Sequence, residues 1–252
     1  MIKIAFFDID GTLIYGPDLK MPQSTLEGLK ELRQKGIKSF ISTGRSCTDA
    51  EFIKKYYDFD GMVCCNGQYC IDLKSNEVIH KQCIPKSEIL NMYDYVVSQQ
   101  ERVEFLTNKG RYILDIYTGE KAENVKYITK DELMRQEVLQ VNIFNPPSEE
   151  YKFKEYCPNC SIVRWSDDFA DVMPIGGGKD KGIEKILEHL KISKDEAIAF
   201  GDAGNDICML EYLPNSVAMG QAGEGVKKSA KFVTKPVSED GIYYALKTLD
   251  II

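Results

Sequence analysis

The sequence predicts an α/β protein whose core is a Rossmann-like parallel sheet, interrupted by an inserted α+β module. Two observations predict this fold class. Short apolar runs alternate with helical stretches over residues 2–65, and the same alternation returns after residue 178. This order is typical of right-handed strand–helix–strand units with a parallel sheet.

The first half of the core contains three predicted strands and two predicted helices. In residues 22–36, leucines at 26, 29 and 32 recur at helical spacing, after Pro22 and before Gly36. The short apolar runs on either side are typical of buried strands. The predicted elements are strands at 2–8, 37–43 and 61–65 and helices at 22–36 and 46–57.

The second half of the core begins with a helix over 181–190, which has Ile183, Ile186, Leu187 and Leu190 on one face. It continues with strands at 197–200, 216–219 and 231–233 and a helix at 206–212.

The intervening stretch has α+β character. Alternating patterns at 111–117 and 138–144 predict strands, and 87–100 and 129–136 predict helices. Three consecutive glycines, 176–178, form a flexible joint after it. We therefore predict a core of residues 1–82 and 178–252 and an inserted domain of residues 83–177.

Charge and hydropathy narrow the range of partners. Lys and Arg total 32 against 39 Asp and Glu, a net charge of -7 without a basic tract, which argues against a nucleic-acid partner. No apolar run approaches the ~18 residues of a membrane helix, and the first residues lack a secretory pattern. We expect a cytoplasmic protein, and a monomer because the inserted domain would screen the site.

Polar residues follow several of the predicted strands. Parallel sheets bind ligands beyond the carboxyl ends of their strands. The residues expected to converge there are Asp8, Asp10, Gly11, Thr43, Gly44, Lys181, Asp202 and Asp206.

Crowded carboxylates repel one another unless a cation offsets their charge, and oxygen ligands favour Mg²⁺. Gly11 and Gly44 would leave backbone N–H groups free to approach an anion. Phosphoryl transfer is therefore the predicted chemistry, with one Asp as nucleophile and another as proton donor and acceptor.

The combination of motifs resembles the haloacid dehalogenase superfamily of phosphatases. The four motifs are Asp8-Ile9-Asp10-Gly11-Thr12, Thr43 in Ser42–Arg45, Lys181 before Gly182, and Gly201–Asp206. Asp171–Pro174, Val217–Gly220 and Glu239–Ile242 extend the likeness to the Cof-like branch with its type IIB α+β cap. The resemblance implies hydrolysis of small phosphomonoesters, sugar phosphates prominent, and it is strongest to bacterial hexose-phosphate phosphatases in the C-terminal third.

The resemblance also implies roles for individual residues. Asp8 would be the nucleophile and a metal ligand, and Asp10 the general acid and base whose carbonyl also binds the metal. Asp202 and Asp206 would complete the Mg²⁺ site. The residues implied to hold phosphate or line the crevice are Gly11, Thr43, Gly44, Arg45, Asn66, Lys181 and Asn205.

Two nearby residues have competing interpretations. Lys179 is interpreted as a solvated charge at the joint rather than the phosphate lysine. Trp165, late in the inserted domain, either packs within it or stacks on a sugar face.

Three alternatives remain open at this point. The protein could transfer the phosphoryl group to an acceptor other than water, or hydrolyse vitamin or nucleotide phosphates. It could also be a phospho-accepting signalling module, although such modules are about half as long and lack an acid at the position of Asp10.

Overall fold

The computed structural model describes residues 1–119, 123–164, 166 and 168–252. Its strands fall into two sheets that occupy different parts of the chain. In chain order the strands are β1 Ile4–Phe7, β2 Lys38–Ser42, β3 Gly61–Cys64, β4 Tyr69–Asp72, β5 Val78–Lys81, β6 Val103–Thr107, β7 Gly110–Leu114, β8 Lys126–Ile128, β9 Gln140–Ile143, β10 Cys160–Arg164, β11 Ala170–Pro174, β12 Ala197–Gly201, β13 Asn215–Ala218 and β14 Phe232–Val233.

Helices cover both faces of the larger sheet and one face of the smaller sheet. In chain order they are α1 Gln23–Gln34, α2 Cys47–Ala50, α3 Lys86–Gln99, α4 Lys130–Arg135, α5 Glu150–Tyr156, α6 Lys179–Leu190, α7 Ile207–Tyr212, α8 Glu224–Ser229 and α9 Gly241–Thr248. None of the helices in the described ranges is both long and apolar enough to cross a bilayer.

The larger sheet has the strand order β14-β13-β12-β1-β2-β3-β4-β5, with parallel pairing from β14 to β3. Hydrophobic clusters lie on both of its faces, as expected for a parallel sheet between helical layers. Phe7 of β1 stacks on Phe200 of β12 with ring centroids 4.9 Å apart. This packing aligns the two strands that carry the first and fourth motifs.

Two strands at the edge of this sheet were not predicted. β4 and β5 extend it in antiparallel fashion after β3. The predicted helix over 46–57 is correct only in part, because α2 ends at Ala50 and a 3₁₀ turn follows over Glu51–Lys55. Phe52 and Ile53 lie in that segment and Tyr56 follows it, and all three have modest helix propensity.

The smaller sheet has the order β10-β11-β9-β6-β7-β8 and is antiparallel except between β7 and β8. All its strands lie within the predicted inserted domain, 83–177, and we call this sheet with its helices the cap. The exact domain boundaries remain predictions. Val103, Phe105, Val141, Ile143 and Val172 pack in the cap's hydrophobic cluster.

The opposite face of the cap sheet is more polar. Strand register places Glu104 opposite Asn142, and Asn142 opposite Asp171. Leu106 is opposite both Gln140 and Arg111 in the same sheet. Because side chains alternate along a strand, one face builds the cap core and the other faces the core domain.

Candidate active site

Three neighbouring strands of the larger sheet bring the predicted motifs together. β12, β1 and β2 are adjacent and parallel, and they end next to Asp202, Asp8 and Thr43 respectively. The carboxyl ends of these strands therefore share one edge of the sheet. This is where open α/β sheets bind ligands.

A cluster of three carboxylates forms the floor of the site. Oxygens of Asp8, Asp202 and Asp206 all lie within 4.8 Å of one another. Burial raises the pKa of Asp8 well above its usual value, with contributions from the charges of Asp206 and Asp202. Burial and the charge of Asp206 also raise the pKa of Asp202 to about 6.

Lys179 lies against this cluster and contradicts our prediction that it is a solvated hinge charge. Its side chain is fully buried, and its Nζ is 2.7 Å from Oδ1 of Asp8 and 2.5 Å from Oδ1 of Asp206. Burial alone would lower the pKa of Lys179, but the two carboxylates raise it above its usual value. The ammonium therefore remains protonated between them.

The predicted phosphate lysine, Lys181, does not enter the site. Its side chain is 48% exposed and pairs with Asp180 and Glu184 on the surface of α6. Residues two apart on a helix differ by about 200° in direction, so Lys179 and Lys181 cannot face the same cavity. Placing Lys181 in the crevice was wrong, and Lys179 occupies the position expected of it.

Asp206 is fixed by the loop that carries it. Its Oδ2 accepts hydrogen bonds from the backbone N–H groups of Asp202 and Ala203, both 2.9 Å long. Its Oδ1 accepts from Lys179. These contacts hold Asp202 and Asp206 at a fixed separation.

Gly11 and Thr12 position Asp202 from the other side. Thr12 Oγ1 donates to Oδ1 of Asp202 at 3.0 Å. Gly11 has a φ of +81°, and a Cβ at this position would lie 2.1 Å from Oδ2 of Asp202. Only glycine permits both this backbone conformation and this close approach.

Asp10 lies at the cavity but outside the three-carboxylate cluster. Its two carboxylate oxygens accept from Nε and Nη2 of Arg45, each at 2.7 Å. The structure thus brings Arg45 into the predicted crevice, paired with the predicted acid and base. Whether the Asp10 carbonyl binds a metal remains a prediction.

Thr43 and Gly44 line the cavity beside Asp8. The Thr43 hydroxyl oxygen accepts from the backbone N–H of Arg45 at 3.1 Å. The Gly44 carbonyl accepts from Nε2 of Gln140, a cap residue, at 3.3 Å. Both positions agree with the predicted crevice, and their contact with phosphate remains a prediction.

Asn66 links the core loops to the cap. Its Oδ1 accepts from Nδ2 of Asn205 at 3.0 Å, and its Nδ2 donates to Gln140 and Asp171 at 3.0 and 2.7 Å. These side chains are buried, with Asn66, Gln140 and Asp171 each 1% exposed. Asn205 lines the cavity, as predicted, and its side-chain amide is held by Asn66.

The site opens into a cavity of about 470 Å³ between the core and the cap. Sequence reasoning assigned none of the residues on its cap side to the site, although Asp171 belonged to a family-like motif, because alternation alone does not show which strand face meets the core. These residues are Leu106, Arg111, Asn142, Phe169 and Asp171. Trp165, a candidate for sugar stacking, lies outside the described residues.

The carboxylate cluster fits a divalent cation. Asp8, Asp202 and Asp206 offer hard oxygen ligands at close quarters, and burial together with the neighbouring carboxylates raises the pKa values of Asp8 and Asp202. A bound cation would offset that repulsion.

Comparison with known proteins agrees with this geometry. The family model of haloacid dehalogenase-like hydrolases matches residues 5–246. The chain belongs to this family. Several of its relatives are phosphatases by name.

Two relatives are similar along their whole length. The chain is 35% identical to "Putative phosphatase YkrA" of Bacillus subtilis (strain 168) over 99% of this chain and 98% of that one. It is also 35% identical to a solved structure described as the HAD subclass IIB sugar phosphatase BT4131, with a TM-score of 0.87 over 99% and 100% of the chains. These matches confirm the predicted fold class, the cap subclass and the assignment as a phosphatase. They favour a phosphatase over the alternative of a phospho-accepting signalling module.

A third relative is more distant. The chain is 26% identical to "5-amino-6-(5-phospho-D-ribitylamino)uracil phosphatase YcsE" of Bacillus subtilis (strain 168), over 98% of this chain and 95% of that one. The named substrates of the relatives therefore differ while the fold is shared.

Proposed function

We propose that this phosphatase hydrolyses sugar phosphates with Mg²⁺ as cofactor, through a phosphoryl group carried on Asp8. The observation that carries the proposal is a cluster in which Asp8 lines a cavity whose opposite wall is the cap, while Asp202, Asp206 and Lys179 lie directly around Asp8. Asp8, Asp202 and Asp206 would hold the cation, which supplies positive charge to the phosphate oxygens when bound.

In the first step, a carboxylate oxygen of Asp8 attacks phosphorus, and the bond from phosphorus to the ester oxygen breaks. Lys179 stabilises the Asp8 carboxylate and lies close enough to meet oxygens of the transferring group. Asp10 donates its proton to the departing alkoxide, so the leaving group departs as a neutral alcohol.

In the second step, Asp10 accepts a proton from water, and the hydroxide attacks phosphorus to release inorganic phosphate and restore Asp8. Arg45 supports this role by holding both oxygens of Asp10 toward the cavity. The Thr43 hydroxyl and the Gly44 backbone would contact the remaining phosphate oxygens, since both line the same cavity.

The residues on the cap side of the cavity suit a sugar-like leaving group. Asn142 and Asp171 offer hydrogen bonds to hydroxyl groups, whereas Leu106 and Phe169 offer apolar surface to C–H groups. The volume of about 470 Å³ lies within the usual range for small-molecule sites. The sugar phosphatase at 35% identity supports the same substrate class.

Phosphate release from a panel of phosphorylated sugars, polyols, nucleotides and vitamin phosphates tests the proposal. We expect Mg²⁺-dependent release, strongest on hexose phosphates, that EDTA and Asp8→Asn abolish. Asp195→Asn, an exposed acid on a 3₁₀ turn, is the matched control and should retain activity. Release that peaks on another class would reject sugar phosphates, and full activity in Asp8→Asn would reject the nucleophile.

Two further candidates are tested by the same panel. The relative named as a 5-amino-6-(5-phospho-D-ribitylamino)uracil phosphatase favours inclusion of a phosphorylated ribitylamino compound in the panel. Adding alcohol acceptors and analysing the products separates hydrolysis from phosphoryl transfer to an acceptor other than water.

A further inference from the structure

The cavity wall opposite the carboxylate cluster carries a pattern of charge that the proposed phosphoryl transfer does not use. We call this part the outer wall, and it consists of Asp49 of α2 together with Leu106, Arg111, Asn142, Phe169 and Asp171 of the cap. It would face the leaving group rather than the phosphate, because the phosphate end lies at Asp8.

Arg111 is already engaged by two carboxylates. Its Nη1 lies 3.1 Å from Oε2 of Glu104, and its Nε lies 3.3 Å from Oδ2 of Asp49. Glu104 is fully buried and also pairs with Arg102. The positive charge of the Arg111 guanidinium is therefore already offset by two carboxylates when no ligand is bound.

Asp49 is held in place by its own helix terminus. Ser46 Oγ donates to Oδ2 of Asp49 at 2.7 Å, and the Asp49 backbone N–H donates back to Ser46 Oγ at 3.2 Å. Its side chain is 24% exposed and lines the cavity. Through Arg111 it joins the core to strand β7 of the cap.

Asp171 adds a second acid to the outer wall. It is 1% exposed and accepts from Nδ2 of Asn66 at 2.7 Å. Among the described residues that line the cavity, both arginines are paired with carboxylates: Arg45 with Asp10, and Arg111 with Asp49 and Glu104. An anion at the outer wall would therefore meet two guanidinium groups whose charges are already offset by carboxylates.

We infer that the outer wall selects a leaving group without a second negative charge. The inference rests on the proposed function and narrows its substrate class to esters whose remainder is a neutral or amine-bearing polyhydroxylated chain. Asp49 and Asp171 would repel a carboxylate or second phosphate, while Asn142 and the apolar Leu106 and Phe169 would accept an uncharged sugar. Asp49 is thus a specificity-determining residue.

A matched pair of esters tests the inference. Glucitol 6-phosphate and 6-phosphogluconate have the same open chain and differ at C1, where one has a hydroxymethyl group and the other a carboxylate. We expect kcat/KM, measured with saturating Mg²⁺ at low ionic strength, to favour glucitol 6-phosphate by at least about ten-fold. If turnover of either ester is slow, the inhibition constants of the two esters against p-nitrophenyl phosphate give the preference in binding instead.

Asp49→Asn isolates the residue responsible. The amide can still accept the Ser46 hydrogen bond but removes one negative charge and frees Arg111 from one partner. We expect the preference to shrink several-fold in this variant. The matched control is Glu51→Gln, which removes the same charge from a 65% exposed side chain two residues away and should leave the ratio unchanged.

Three outcomes would overturn the inference: equal constants for the two esters in the wild-type protein, binding of neither ester, or the same change in Asp49→Asn and Glu51→Gln. Hydrolysis of p-nitrophenyl phosphate is the separate check on the proposed function. If that activity depends on Mg²⁺ and Asp8 while the ester ratio is flat, the phosphatase mechanism stands and only the charge selection fails.

Discussion

Lys179 Nζ lies 2.7 Å from Oδ1 of Asp8, and the same ammonium lies 2.5 Å from Oδ1 of Asp206. One buried cation therefore joins the proposed nucleophile to the loop that would hold the metal. The two carboxylates lie in the loops that follow β1 and β12, which are neighbours in the sheet but almost 200 residues apart in sequence.

Substitution of Lys179 should remove most activity, whereas substitution of Lys181 should not. Lys179→Met keeps the bulk of the side chain but removes the charge beside Asp8, and we expect kcat/KM to fall by about 10²–10³-fold. Lys181→Met is the matched control, two residues along the same helix and exposed to solvent.

The free energies of unfolding of Lys179→Met and Lys181→Met, measured in urea, complement the kinetic comparison. Breaking a buried ion pair costs about 3–5 kcal/mol, so Lys179→Met should lower the free energy of unfolding by that order. Addition of Mg²⁺ should restore part of it, since the cation offsets the same carboxylates. An equal loss of activity in Lys181→Met would contradict the assignment of Lys179.

Asp10→Asn should slow turnover while leaving the cavity in place. The amide cannot donate a carboxylic proton to the leaving alkoxide or accept one from water, and such groups contribute about 10²–10⁴-fold. Rates on a sugar phosphate and on p-nitrophenyl phosphate separate the two roles, because p-nitrophenolate leaves without protonation. In Asp10→Asn, we expect the rate of phospho-Asp8 formation to fall less with p-nitrophenyl phosphate than with the sugar phosphate.

Trapping of the phosphorylated protein completes that experiment. With p-nitrophenyl phosphate, Asp10→Asn should accumulate phospho-Asp8, detected by mass spectrometry after an acid quench. Arg45→Lys, which loses the two-point contact to Asp10 but keeps the charge, should retain more activity than Asp10→Asn. Fast hydrolysis of phospho-Asp8 in Asp10→Asn would show that another group activates the water.

Gly11→Ala should weaken metal binding as well as stability. The added Cβ would lie 2.1 Å from Oδ2 of Asp202, so that carboxylate must move, and the φ of +81° adds backbone strain. Gly16→Ala is the matched control, because Gly16 has a φ of +71° in the same loop but nothing within 4 Å of its added Cβ.

Both glycine variants should lose about 1 kcal/mol or more of stability from strain alone. Only Gly11→Ala should need a higher Mg²⁺ concentration for half-maximal activity. A metal titration monitored by thermal shift and by phosphate release distinguishes the two effects. Identical Mg²⁺ requirements in the two variants would contradict the positioning of Asp202 by Gly11.

The stability of the metal-free protein should fall as the pH rises from about 4 through 6. The pKa of Asp202 is about 6 in the folded protein against 3.8 ordinarily, and the pKa of Asp8 is raised in the same direction. Between these values the folded state binds more protons than the unfolded state, so unfolding becomes easier with rising pH.

Mg²⁺ should reverse this trend, because a cation binds the ionised carboxylates and only the folded state brings them together. Melting temperatures measured with EDTA and with Mg²⁺ from pH 4.5 to 7.5 should therefore diverge as the pH increases. In Asp202→Asn, the melting temperature measured with EDTA should change less with pH. The difference between the melting temperatures with Mg²⁺ and with EDTA should also grow less with pH. A constant difference across this range would contradict titration of the cluster.

The strand-end motifs could be predicted because each one follows a local apolar run. The runs before Asp8, Thr43 and Asp202 lie in β1, β2 and β12, and the parallel order places their ends together. The antiparallel strands β4 and β5 were missed because each is only four residues long and lacks a strong alternating pattern.

The sequence by itself determined the α/β core, the inserted cap and the acids that meet at the strand ends. It did so because local hydrophobic periodicity and short motifs are enough to specify them. The tertiary structure alone decided that Lys179 rather than Lys181 faces Asp8, since the rotation of α6 depends on which helix face is buried.

The tertiary structure also decided which side chains of the cap line the cavity. The cap strands alternate, but only packing of Val103, Phe105 and Val141 against the cap helices fixes which face they bury. The remaining face, with Asn142 and Asp171, then meets the core across the cavity. A shift of one residue in a strand would exchange the two faces, so substrate-facing side chains follow from long-range packing and not from local sequence.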